Sequence, residues 1–164
     1  MIALIGFMGS GKTTVGRLLA AELRMPFADA DELIETQAGK PIARIFAEDG
    51  EGAFRALEAE VALVALGGAG VLALGGGAVE SQVIRDALRG HTVIWLDVPL
   101  DEALARLGED AGRPVLKDPQ LARRYQIRQA LYEEVADLRV EAELATAAET
   151  AGLIAALVEP ASAS

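Results

Sequence analysis

The stretch Ile2-Ala-Leu-Ile-Gly-Phe-Met-Gly-Ser-Gly-Lys-Thr13 decides the fold of this chain. Its last eight residues match the pattern G-x-x-x-x-G-K-[ST] at every fixed position. An apolar strand is predicted before the glycines, at Ile2–Ile5, and a helix after them, at Thr13–Leu23. Glycines placed this way let successive backbone N–H groups face a phosphate at the positive end of a helix dipole. The stretch therefore predicts a nucleoside triphosphate site in an α/β fold.

Two side chains of this loop are expected to act on the triphosphate and its metal ion. Lys12 is expected to bridge the β- and γ-phosphates, and the Thr13 hydroxyl to bind Mg²⁺. The alternative is a glycine-rich turn that merely ends in Gly-Lys-Thr, but the flanking strand and helix favour a phosphate-binding loop. GTPases, ATPases and kinases all use such a loop, so an acceptor site is needed to predict a kinase.

Strand and helix patterns alternate along the rest of the 164 residues. Further strands are predicted at Phe27–Asp29, Val71–Leu74, Thr92–Asp97 and Arg139–Val140. Helices are predicted at Asp31–Glu35, Ile42–Phe46, Glu51–Leu66, about 80–88, Pro99–Leu107, Leu121–Val135 and Ala147–Val158. This alternation predicts one domain over residues 1–159, with helices on both faces of a mostly parallel sheet. A mobile loop is expected at Gly108–Pro119 and a disordered tail at 160–164.

Composition excludes several classes of protein. The net charge of -10 argues against partners such as nucleic acid or an anionic membrane. The absence of cysteine and the single histidine, His91, exclude disulfides, thiolate metal sites and multi-histidine clusters. Val61–Val79 is uncharged but interrupted by six glycines, and the first residues lack the features of a signal peptide. We therefore expect a soluble cytoplasmic protein.

Four further features could build an acceptor site. They are Asp29-Ala-Asp31 after the second strand, Phe46 and Phe54-Arg55 with Glu58, the triple glycine Gly75–Gly77, and Gly112-Arg113-Pro114 with Arg128. Each has a simpler interpretation by itself: Asp31 as a helix cap, Arg55 and Glu58 as an exposed ion pair, the glycines as a turn, and the later arginines as solvated charges. Their joint occurrence in this order favours a functional site.

In this order the features resemble the shikimate kinases, a family of small P-loop kinases in the nucleoside-monophosphate-kinase-like group. The similarity runs from Ile5 to about Val140, through GFMGSGKTTVGR, FADADELIE, IFAEDGEGAFRALE, LALGGGAV, GRPVL and RQALYEEVADLRV. It implies a three-layer fold with a five-stranded parallel sheet in the order 2-3-1-4-5. It also implies a short lid at about 108–119, substrate-binding helices at about 31–66, and Mg²⁺-dependent transfer of the ATP γ-phosphoryl group to the 3-hydroxyl of shikimate.

The resemblance implies a role for each matching residue. Asp31 would hold the accepting hydroxyl as base or orienting group, and Arg113 would close over the transferring phosphoryl group. The implied substrate-binding residues are Asp31, Phe46, Phe54, Arg55, Gly76, Gly77 and Arg128, with Glu58 holding Arg55. The implied nucleotide-binding residues are Gly9, Ser10, Gly11, Lys12, Thr13, Thr14, Arg106 and Arg113; Lys12, Asp31 and Arg113 form the catalytic set. Thr13 would bind Mg²⁺ directly and Asp29 through water.

One segment departs from the family pattern. Many members place a basic residue and a proline near the adenine after the last strand, whereas Glu141–Thr150 contains neither. The alternatives to a shikimate kinase are a related kinase of gluconate or nucleoside monophosphate, and a nucleotide-binding regulatory protein without turnover. For a shikimate kinase we expect a monomer whose partners are the small molecules ATP and shikimate.

Overall fold

A five-stranded parallel sheet organises the chain, of which a computed structural model describes residues 1–108 and 120–158. The strands are β1 (Ile2–Ile5), β2 (Phe27–Asp29), β3 (Val71–Ala73), β4 (Thr92–Asp97) and β5 (Leu138–Glu141). Their order is β2-β3-β1-β4-β5, and every neighbouring pair is parallel. The predicted fold class and strand order are confirmed.

Eight α-helices accompany these strands within the described residues. They are α1 (Lys12–Glu22), α2 (Ala30–Ala38), α3 (Ile42–Glu48), α4 (Gly50–Leu66), α5 (Gln82–Leu88), α6 (Leu100–Leu107), α7 (Leu121–Val135) and α8 (Ala147–Val158). A 3₁₀ turn at Ala78–Glu80 precedes α5. None of the helices described has the length and apolar character needed to span a membrane.

The core has one layer on each face of the sheet. Successive residues of β1 point to opposite faces, so Ile2 and Leu4 pack against α1 and α8 while Ala3 and Ile5 face the other layer. Trp95 lies in that other layer, as expected for a core residue. Burial on both faces explains why β1 is apolar throughout rather than alternating.

A smaller apolar cluster holds α2, α3 and α4 together beside the sheet. Its buried members are Ile34, Ile45, Phe54 and Val61. Full burial of such a side chain contributes about 1.5–3 kcal/mol, so this cluster is sufficient to fix the three helices as a unit. They form one wall of the cavity described below.

Several predicted boundaries differ from the observed ones, and three of these differences affect where a helix begins or breaks. Asp29, not Asp31, is the N-cap of α2: its backbone is extended (φ -113°, ψ 123°) and its side chain accepts the Asp31 N–H at 2.9 Å. Pro99 is the N-cap of α6 rather than its first helical residue. The helix predicted near 80–88 is two pieces, because the extended backbone of Ser81 separates the 3₁₀ turn from α5. The predicted lid beyond Gly108 and the predicted tail lie outside the described residues.

Candidate active site

The loop between β1 and α1 has the backbone that a phosphate-binding loop requires. Gly9 and Gly11 adopt positive φ angles of 76° and 89°, which favour glycine strongly. A Cβ on Gly9 would also lie 2.3 Å from the Ala103 carbonyl oxygen, so no side chain fits there. Lys12 Nζ donates to the carbonyl oxygens of Gly6 (2.7 Å) and Phe7 (3.0 Å). The ammonium group therefore lies against the phosphate-binding loop.

The side-chain oxygens of Thr13 and Asp29 lie together at the start of α1. The Thr13 hydroxyl donates to Asp29 Oδ2 at 2.5 Å, while Oδ1 of the same carboxylate caps α2. No group of three or more His, Asp or Glu side chains suited to a metal occurs in residues 1–108 and 120–158. A hydroxyl with one nearby carboxylate suits Mg²⁺, which commonly takes its remaining ligands from phosphates and water.

Two adjoining cavities lie at the carboxyl edge of the sheet. The larger, of about 570 Å³, is lined by residues from the loop, from α2, α3, α4 and α7, and from the triple glycine. The smaller, of about 180 Å³, is lined by the loop residues Gly9 and Gly11–Thr14. Thr13, Asp29 and Asp31 line both cavities. A phosphate held by the loop and a ligand in the larger cavity would therefore meet beside these three side chains.

The larger cavity contains two arginines, each paired with a carboxylate. Arg55 Nη1 lies 2.7 Å from Glu58 Oε2, and Arg128 Nε lies 2.9 Å from Glu80 Oε1. Glu58 and Arg128 are each only 2% exposed. The Arg55–Glu58 pair is therefore not a fully exposed helix pair, and Arg128 is not a solvated surface charge. Burial raises the pKa of the Glu58 carboxyl, and the Arg55 guanidinium opposes that shift without cancelling it.

Both guanidinium groups converge on Gly77. A Cβ on this residue would lie 2.5 and 2.6 Å from Nη1 and Nη2 of Arg55 and 2.9 Å from Nη2 of Arg128. Two positive charges directed at the same point repel each other. Arg128 Nη2 is also buried without a hydrogen-bond partner in the described part of the chain. An anion such as a carboxylate would relieve both the repulsion and the missing hydrogen bond.

Aromatic rings and a tyrosine complete the larger cavity. Phe46 and Phe54 line it with ring centroids 4.6 Å apart. The buried Tyr132 hydroxyl donates to the Gly76 carbonyl oxygen at 2.6 Å, which ties α7 to the triple glycine. Burial raises the pKa of this hydroxyl far above its ordinary value, so it remains a proton donor. Gly76 itself approaches the loop, since a Cβ there would lie 3.2 Å from the Met8 nitrogen.

Arg106 lies beside the loop, near Gly11. Its Nη2 donates to the carbonyl oxygens of Ala142 (2.7 Å) and Glu143 (3.3 Å), which follow β5. Its Nη1 lies near Gly11, about 4.0 Å from where a Cβ of that glycine would be. Arg106 therefore connects the loop with the segment that lacks the basic residue and the proline common in the family.

Every described residue predicted for the donor and acceptor sites lines one of the two cavities, except Ser10 and Arg106, and Arg113 lies outside the described residues. Sequence reasoning missed Glu80 and Tyr132. Tyr132 lies four positions after Arg128, so helical spacing from a predicted site residue could have identified it. Glu80 lies 48 positions before Arg128, and no local pattern connects them.

Comparison with known proteins identifies the family. The family model for Shikimate kinase matches residues 8–159. The chain belongs to the shikimate kinase family.

Two members of the shikimate kinase family illustrate how much of the chain is shared. The shikimate kinase of Mycobacterium avium is 48% identical over 143 residues, 84% of this chain and 81% of that one. The shikimate kinase of Salinispora arenicola is 46% identical over 159 residues, 94% of this chain and 95% of that one. The sequence resemblance is thereby confirmed across nearly the whole chain.

Solved structures agree with this assignment. The structure of the shikimate kinase from Acinetobacter baumannii in complex with shikimate has a TM-score of 0.92 and 37% identity, and covers 96% of this chain and 91% of that one. An APS kinase from Mycobacterium tuberculosis has a TM-score of 0.62 at 16% identity, and shares the fold alone. Similarity to shikimate kinases thus extends well beyond the common fold of P-loop kinases.

Proposed function

We propose that this chain transfers the γ-phosphoryl group of ATP to the 3-hydroxyl of shikimate, giving shikimate 3-phosphate and ADP. The observation that carries the proposal is the convergence of Arg55 and Arg128 on Gly77, in a cavity that shares Asp31 with the phosphate-binding loop. This arrangement suits an acceptor that has a carboxylate at one end and a hydroxyl near the donor phosphate. Family membership supports the same reaction.

The donor half of the site consists of the loop and the start of α1. Backbone N–H groups around Gly9–Gly11 bind the phosphates at the positive end of the helix dipole. Lys12 exchanges its bonds to loop carbonyl oxygens for bonds to the β- and γ-phosphates. Arg106 lies against the adenine, held by its bonds to the segment after β5. Ser10 and Thr14 complete the nucleotide-binding residues.

The acceptor half of the site positions one hydroxyl for attack. Asp31 accepts the proton of the shikimate 3-hydroxyl. The hydroxyl oxygen forms a bond to the γ-phosphorus while the bond from that phosphorus to ADP breaks. Arg55 and Arg128 each donate to the substrate carboxylate, which fixes the distance from that group to the hydroxyl. Phe46 and Phe54 bound the ring, and Gly76 leaves room beside it. Transfer of a phosphoryl group depends on such positioning more than on covalent chemistry.

Mg²⁺ is the proposed cofactor, and the oxygen ligands at the start of α1 suit it. Thr13 would bind the ion directly and Asp29 through a water molecule. When bound, Mg²⁺ neutralises charge that develops on the phosphate oxygens. Arg113 is proposed, on the sequence alone, to add positive charge over the transferring group. We expect the chain to act as a monomer, because one chain supplies both halves of the site.

A coupled assay for ADP release tests the proposal directly. Shikimate should release ADP from Mg²⁺-ATP, whereas gluconate and other hydroxylated acids should give little signal. Arg128→Ala should weaken shikimate binding by about 2–5 kcal/mol, because the substrate carboxylate that Arg128 binds is desolvated in the complex. ATP binding should remain nearly unchanged. Nucleotide binding without turnover on any acid would instead indicate a regulatory protein, and loss of ATP affinity in Arg128→Ala would contradict the placement of this arginine.

A further inference from the structure

Glu80 lies next to the arginine pair and has no role in the reaction proposed above. It ends the 3₁₀ turn that follows the triple glycine, and its N–H donates to the Gly77 carbonyl oxygen at 3.0 Å. Its Oε1 accepts from Arg128 Nε at 2.9 Å. One short turn therefore carries both the glycine that makes room for the guanidinium nitrogens and a carboxylate that holds Arg128.

Glu80 binds Arg128 through a single hydrogen bond to Nε. Nε and one terminal nitrogen of a guanidinium present parallel N–H groups that one carboxylate can bind together. Here Glu80 takes Nε, while Nη2 remains buried without a hydrogen-bond partner among the described residues. That nitrogen instead crowds the position of a Cβ on Gly77, at 2.9 Å. One carboxylate thus secures one nitrogen and leaves another for a second carboxylate.

Two neighbours restrict the orientation of the Arg128 guanidinium. Its Cζ lies 5.7 Å from the centroid of the Phe7 ring, so the ring limits movement on one side of the plane. The hydrogen bond from Nε to Glu80 limits rotation within the plane. With both in place, a 2% exposed guanidinium keeps one direction for Nη2 even before a ligand binds.

We propose that Glu80 is a positioning residue for Arg128, which turns Nη2 towards Gly77 and the cavity where a substrate carboxylate binds. This inference rests on the proposed function. The positioning effect and the charge of Glu80 act in opposite directions, because a carboxylate beside Arg128 reduces the attraction for an anionic substrate. Removing only the charge and removing the hydrogen bond should therefore have different effects.

Three substitutions separate the two effects. Glu80→Gln keeps an oxygen acceptor for Nε and removes the charge, so the KM for shikimate should stay within about threefold of the parent value or fall. Glu80→Ala removes the acceptor, and that KM should rise about tenfold or more, with kcat changed less than about threefold. Glu80→Asp keeps the charge but withdraws the carboxylate by one methylene, so its KM should also rise. The KM for Mg²⁺-ATP should stay within about twofold throughout.

Glu134→Ala is the matched control, because Glu134 of α7 also pairs with an arginine, Arg85 at 3.6 Å, but does not line the cavity. Its kinetic constants should equal those of the parent, and thermal denaturation should report the stability of each variant. Equal increases in KM for the Gln and Ala variants, or no increase for Ala and Asp, would overturn the proposal. If Glu80→Ala does not fold, the comparison of Gln with Asp decides. Failure of the parent to use shikimate would refute the proposed function, and this inference with it.

Discussion

Gly77→Ala is the sharpest test of the arginine pair, because it changes the site without straining the backbone. Gly77 has φ -92° and ψ -2°, outside the left-handed region that favours glycine. The new methyl group would lie 2.5–2.9 Å from three guanidinium nitrogens. Contact at about 3.4 Å or more is ordinary, so Arg55 and Arg128 must withdraw by roughly 0.5–1 Å.

Such a shift falls directly on the atoms proposed to bind the substrate carboxylate. A misplacement of about 1 Å can reduce rates about a hundredfold, and charge-assisted hydrogen bonds contribute about 1.5–3 kcal/mol each. We therefore expect the Kd for shikimate to rise about ten- to a hundredfold, equivalent to about 1.4–2.8 kcal/mol. The Kd for Mg²⁺-ATP should change less than about twofold, since the loop residues are not displaced.

Calorimetric titration with shikimate and with nucleotide, together with the ADP-release assay, measures both quantities. Gly52→Ala is the control, because Gly52 lies in α4 with no heavy atom within 4 Å of its added Cβ. It should leave binding unchanged and stabilise the fold by up to about 1 kcal/mol. A folded Gly77→Ala protein that binds shikimate within about threefold of the parent would refute the reasoning, as would an equal loss of ATP affinity.

Three further substitutions test other parts of the site. Thr13→Val should raise the Mg²⁺ concentration needed for half-maximal rate about tenfold or more and leave shikimate binding without nucleotide unchanged; an unaltered Mg²⁺ titration would contradict the metal assignment. Tyr132→Phe should leave the half-buried Gly76 carbonyl oxygen without its donor, which costs about 1 kcal/mol or more in thermal or urea denaturation and weakens shikimate binding. Glu58→Gln tests the raised pKa of the Glu58 carboxyl. Because folding favours the protonated carboxyl, this group contributes its full stabilisation below its ordinary pKa of 4.5. That stabilisation is lost as the pH rises through the raised pKa of the folded state. The Tm of the parent minus that of Glu58→Gln should therefore increase as pH falls from about 7 to about 4.5, and a constant difference would contradict the shift.

Elements with a clear local pattern were predicted at their observed boundaries. β4, α7 and α8 match the predictions residue for residue, because apolar spacing and nearby glycine or proline specify them. The predicted start of α2 was wrong because two neighbouring residues can cap this helix. Asp29 and Asp31 are both suited to cap a helix, and only the extended backbone of Asp29, which ends β2, decides between them.

The sequence by itself determined the phosphate-binding loop, since one continuous stretch contains the strand, the glycines, Lys12 and the helix. The family pattern also predicts the residues of the acceptor site. Only the tertiary structure decided how those residues meet: α4 and α7 bring Arg55 and Arg128 to Gly77, and the turn after the triple glycine adds Glu80. Burial of these charges depends on packing between elements far apart in sequence, so no local pattern in the chain could specify it.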